Sequence, residues 1–105
     1  MLYSISFEFR DKDKAPDESF FDLLDSIGEI NLCLEGLIFL DAAYLAKGIL
    51  EEIQRYFDDN NGYVFISRVT KDVAAILRDP SRKFLKQYWN RIPEIEDLGK
   101  LPTVP

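Results

Sequence analysis

Residues Ile30 to Leu40 read INLCLEGLIFL. Ile30, Leu32 and Leu34 alternate with Asn31, Cys33 and Glu35, the period-two pattern of a strand with two unlike faces. Leu37 to Leu40 is a second, wholly apolar run, and Glu35-Gly36 between the two has the makeup of a tight turn. The stretch predicts a β-hairpin. What flanks it on each side decides the fold.

Upstream, Phe20, Phe21, Leu23, Leu24 and Ile27 recur at helical spacing. Asp17 and Glu18 fall in the first turn of that helix, and Gly28 stands where a C-terminal cap belongs. The charged stretch Arg10 to Pro16 (RDKDKAP) reads as a loop, and before it Tyr3 to Phe9 (YSISFEF) alternates as a half-buried strand. Downstream, Asp41 is the predicted N-cap of a second helix. Its apolar stripe runs through Leu45, Ile49, Leu50, Ile53, Tyr56 and Phe57, while Lys47, Glu51, Glu52 and Arg55 face water. The turn Asp58 to Gly62 (DDNNG) then leads into Tyr63 to Val69 (YVFISRV), apolar at most positions. Near-continuous hydrophobicity of that kind predicts a strand buried on both faces or central in its sheet.

The resulting order is strand, helix, strand, strand, helix, strand: an α+β domain with an antiparallel sheet over residues 1–70. Residues 71–92 form a helical extension packing on the core or on a dimer partner. Thr70 is the expected cap of a short helix through Leu77. Asp79-Pro80 starts the next, an acidic N-cap followed by proline at the first helical position. Phe84, Leu85, Tyr88, Trp89 and Ile92 supply its apolar face, and Pro93 ends it. Residues 93–105 form a proline-rich tail, expected to be extended.

With 47% hydrophobic residues, the 105-residue chain can bury a genuine core. A domain this small buries only about 60–65% of its unfolded surface, so pairing with a second copy would usefully extend that burial. No apolar run approaches the length of a membrane span, so a membrane role is not expected. Cys33 is the only cysteine; an internal disulfide is excluded, a packed side chain is the expectation, and the setting reads as cytoplasmic and reducing. Histidine is absent, which removes the commonest general base, most zinc sites and every Ser-His or Cys-His pair. Residues 1–62 hold 14 acidic and 5 basic side chains, net −9, whereas residues 63–92 hold 7 basic and 2 acidic, net +5. Attraction to nucleic acid would have to come from that second region.

Three constellations could carry chemistry. Glu8 lies near the end of the first strand, with Asp11 and Asp13 just beyond; a carboxylate there could act catalytically by holding Mg²⁺ or Mn²⁺ against phosphate oxygens. The plainer reading, an exposed glutamate before a solvated loop, is favoured. Arg78, Arg82, Lys83, Lys86 and Tyr88 could meet a nucleic-acid backbone and stack bases. Against this, Phe84, Tyr88 and Trp89 fit a packing or dimer surface, which is preferred. The acidic turn DDNNG lacks the ligand spacing of an EF-hand and reads as a turn.

Three local patterns carry a resemblance. They are Phe7-Glu8 closing the first strand, the hairpin LCLEGLIFL from Leu32 to Leu40, and the turn and strand DDNNGYVFIS. With the element order, they make residues 2–70 resemble the ferredoxin-like superfamily that includes SinR-like proteins, VapD ribonuclease toxins and the CRISPR-associated spacer-acquisition small subunit. The spacings are most similar to the SinR-like branch. The resemblance implies a ferredoxin-like βαββαβ sheet and a homodimer in which the two sheets approach and each C-terminal segment touches the other subunit. In the toxin and spacer-acquisition branches an aspartate closing the first strand serves metal-dependent phosphodiester cleavage or its vestige. Here that position is Glu8, and the longer side chain disturbs a tight Mg²⁺ shell. The expectation is thus a non-catalytic homodimeric interaction protein. A metal-dependent nuclease using Glu8 is the first alternative. The second is an acidic inhibitor from a phage or mobile element, which would bind a host nucleic-acid-binding protein.

Overall fold

The computed structural model describes residues 1–10 and 18–94, with Asp59 and Asn60 as backbone only. Among these described residues, four strands and three helices follow one another as β1 (Leu2–Phe9), α1 (Glu18–Ile27), β2 (Gly28–Leu34), β3 (Leu37–Ala42), α2 (Ala46–Ile53), β4 (Gly62–Arg68) and α3 (Asp79–Gln87). Short 3₁₀ segments, Gln54–Asn60 and Trp89–Arg91, extend α2 and α3. The sheet order is β2-β3-β1-β4, and every neighbouring pair is antiparallel.

Strand alternation sorts the side chains into two cores on opposite faces of the sheet. On one face Tyr3, Ile5, Ile38, Leu40 and Ala42 meet Phe20 and Leu24 of α1 and Ile49 and Ile53 of α2. On the other, Leu2, Cys33, Phe39 and Val69 meet Phe84, Tyr88 and Ile92. The domain is therefore layered as helix pair, sheet and C-terminal helix. The hairpin turn forms as expected: Gly36 takes φ 78°, and its carbonyl accepts from the Phe7 amide at 2.8 Å. A Cβ at Gly36 would come within 2.7 Å of the Phe7 carbonyl oxygen, so both the turn and the strand beside it favour glycine.

Four local expectations are corrected. Asp41 does not cap α2; it lies in β3, 3.4 Å from the N-terminal amine, and α2 begins after Leu45 without a side-chain cap. Gly28 is the first residue of β2 rather than a left-handed cap, packed so closely that a Cβ would lie 2.1 Å from the Asp41 carbonyl oxygen. No helix follows Thr70. Residues 71–78 form an irregular strap leading to α3, and the Thr70 hydroxyl accepts only from the Asp72 amide at 3.3 Å. The run VAAIL within it has helix-forming residues, but Ile76 is fully exposed, so little apolar burial rewards a helix there. Finally, β4 is an edge strand, not a central one. Of the expected extended tail, only Pro93 and Glu94 fall within the described residues.

Candidate interaction face

The half of the sheet bearing α3 is covered; the half nearer β4 is open. Register places Glu8 opposite Tyr63, Ser6 opposite Phe65 and Ser4 opposite Ser67, so these six side chains share the face on which α3 sits. Tyr63 and Phe65 are 69% and 68% exposed, and they form with Ser6, Glu8 and Gly36 the walls of a shallow depression. The Ser4 and Ser67 hydroxyls are hydrogen-bonded at 2.8 Å.

Leu34 extends the apolar surface from the far edge. A bulge between Leu32 and Leu34 breaks the alternation of β2, bringing Leu34 opposite Leu37. Leu34 is 50% exposed, whereas Cys33 beside it is buried in the core beneath α3. The strap passes over this region, and Leu34, Leu37, Phe39, Val69 and Val73–Leu77 enclose a mainly apolar groove of about 510 Å³. On the opposite face of β4, Val64 and Ile66 line a smaller groove with Ala46 and Leu50. Among the described residues, the edge strand thus offers apolar side chains on both faces beside a row of backbone groups that no neighbouring strand pairs. Such an edge is a template for another strand.

Glu8 is exposed on this open face. Among the described residues no group of three His, Cys, Asp or Glu side chains gathers into a metal-holding cluster. Asp11 and Asp13, which follow it in the sequence, lie outside the described residues. If Mg²⁺ or Mn²⁺ binds, Glu8 supplies one carboxylate oxygen set, and the remaining ligands come from elsewhere.

The basic residues divide. Arg82 pairs with Asp79 at 2.8 Å, and Arg78 donates to the Cys33 carbonyl at 3.3 Å, tying the start of α3 to β2. Lys83 and Lys86 are exposed, on the side of α3 away from its buried Ser81 and Phe84. Tyr88 is not available to stack a base: it is 2% exposed, and its hydroxyl is hydrogen-bonded to the Glu29 carboxylate. Phe84 is also internal, stacked parallel to Phe39 at 6.5 Å. Of the three aromatic residues expected at a dimer surface, only Trp89 remains substantially exposed, at 38%, with the Lys71 ammonium 5.9 Å from its ring. The amphipathic spacing of α3 identified its apolar face. It could not distinguish a face packed within the subunit from one packed on a partner. The exposed Tyr63 and Phe65 were missed because they sit in a run that reads as buried.

Burial, reinforced by the Glu29 hydrogen bond, pushes the Tyr88 hydroxyl up to about 12. The neutral phenol is therefore the form the folded chain favours. Its stabilisation is fully present below the ordinary tyrosine value near 10 and disappears as pH rises toward about 12. Urea melts should show wild type more stable than Tyr88→Phe at pH 8, with the gap closing steadily above about pH 10. A gap independent of pH would mean that the phenol does not titrate with unfolding.

No family model and no curated protein matches the chain. Among solved structures, a hypothetical protein, TT1823 from Thermus thermophilus, is similar at 21% sequence identity and a TM-score of 0.45, over 73% of this chain and 93% of that one. Among the described residues, no helix is long and apolar enough to cross a membrane.

Proposed function

We propose that the chain is a homodimeric, non-catalytic interaction protein of the cytoplasm, built on a ferredoxin-like βαββαβ body and related to the SinR-like, VapD and spacer-acquisition superfamily. Support for the body comes from the sheet order β2-β3-β1-β4 with a helix after β1 and another after β3. The observation that carries the dimer is β4: an apolar sequence suited to a central strand stands at an edge, with Tyr63 and Phe65 uncovered. The strap offers a complementary element. It has no helix or strand of its own, and it presents Ile76 fully to solvent. Two copies joined by a twofold axis could seat each strap against the partner's β4 edge, as β-augmentation does. Hydrogen exchange tests this reading. Amides of β4 and of residues 73–77 should be protected at high protein concentration and exchange faster on dilution. Protection that ignores concentration would remove it.

A second reading is favoured by the position of Glu8 on the same open face. A twofold that joins these faces would bring two Glu8 carboxylates toward one another, an arrangement able to share a divalent ion with a phosphodiester. Labelled RNA and DNA incubated with Mg²⁺ or Mn²⁺ test it. Cleavage lost in Glu8→Gln would support the nuclease, and cleavage unchanged in that variant would exclude this site.

A further inference from the structure

The boundary between α3 and β2 differs in kind from the core on the other side of the sheet. Along β2 it is a polar seam. The Tyr88 hydroxyl bonds Glu29, and the Arg78 guanidinium bonds the Cys33 carbonyl. Between these, Asn31 stands opposite Phe39 in register and so on the covered face, and its side-chain oxygen is buried without a hydrogen-bond partner among the described residues. A buried, unpaired acceptor penalises the closed arrangement, because opening would return it to water. Among the described residues the α1 and α2 side carries no such buried, unpaired side-chain group, and Phe20, Leu24, Ile49 and Ile53 are fully buried apolar side chains. The chain that brings α3 into place is the irregular strap, fixed at its start by Lys71, whose amide donates to the Pro93 carbonyl at 3.0 Å and whose ammonium pairs with Glu94.

We infer that α3 is a displaceable cover over the β2–β3 half of the docking face, opening locally while the α1–α2 side of the domain stays folded. This rests on the docking reading above and gives it a regulator. With α3 in place, Tyr63 and Phe65 of β4 and the end of β2 at Leu34 are open to a partner. With α3 displaced, Leu2, Phe39 and Val69 join them in one apolar surface. Segments that move are drawn from the less stable parts of a structure; α3 buries apolar side chains on this face, and the orphan acceptor is the feature that lowers the cost of lifting it.

The lone thiol provides the measurement. Cys33 is 1% exposed and lies beneath α3, so a thiol reagent reaches it only when the cover or the whole domain opens. The test is the native-state labelling rate of the full chain, compared with each variant's global stability from urea melts. Tyr88→Phe, which removes the bond to Glu29, should raise the rate about tenfold. Asn31→Leu, which removes the orphan acceptor, should lower it by a similar factor. Ile5→Val, in the opposite core, should change it by less than about twofold while lowering global stability. If labelling instead tracks global stability across all three variants, α3 opens only with the whole domain and the inference is overturned. A chain that proves monomeric yet labels as expected would retain the cover and lose the docking reading, so the two failures are distinguishable.

Discussion

Replacing Phe20 by alanine should lower the unfolding free energy by about 3–5 kcal/mol, the range for deleting a fully buried aromatic side chain. Phe20 has no exposed surface, and its ring meets those of Phe7, Phe9, Phe21, Tyr56 and Phe57 at centroid distances of 5.2 to 6.0 Å. It joins α1, β1 and the 3₁₀ turn after α2 in one aromatic cluster. A domain of this size has about 5–15 kcal/mol of net stability, so the variant should be marginally folded. The urea midpoint should fall sharply at unchanged slope. A loss below about 1 kcal/mol would mean that the cluster rearranges around the deletion.

Phe65→Asp should do the opposite: leave the subunit folded and abolish its pairing. Phe65 is 68% exposed, so the stability of the dissociated subunit should change by no more than about 0.5 kcal/mol. In the dimer the same position would be a desolvated aromatic anchor, and a carboxylate buried there should weaken association by about 100-fold or more. Light scattering across a dilution series reads the difference. A variant that pairs like wild type would place the interface elsewhere.

These two phenylalanines show what was legible in the chain. The alternation of YSISFEF and the Glu35-Gly36 turn located β1 and the hairpin, because period two and a positive-φ glycine are local properties. The helical spacing around Phe20 located α1 for the same reason. Sheet order is not local: Tyr63 to Val69 carries the hydrophobicity of an interior strand, yet nothing in its period states which strand lies beside it. The shift at Leu32–Leu34 was hidden because a bulge changes the face of a side chain without changing the pattern of residues. Asp41 resembled a cap because aspartate followed by a helix usually is one. Here β3 runs on to Ala42, and the N-terminal amine donates to the Ala42 carbonyl at 2.8 Å, beside the Asp41 carboxylate. In α3 the stripe of Phe84, Leu85, Tyr88 and Ile92 was clear. The partner it packs against, Phe39 and Leu2 of the same subunit, was a tertiary fact.

The proposed dimer requires that a second copy complete the edge of β4. Sedimentation equilibrium of the wild-type chain tests this most directly. At micromolar concentration it should give twice the 12.2 kDa chain mass, dissociating on dilution. A single species of 12.2 kDa that persists at the highest attainable concentration would contradict it.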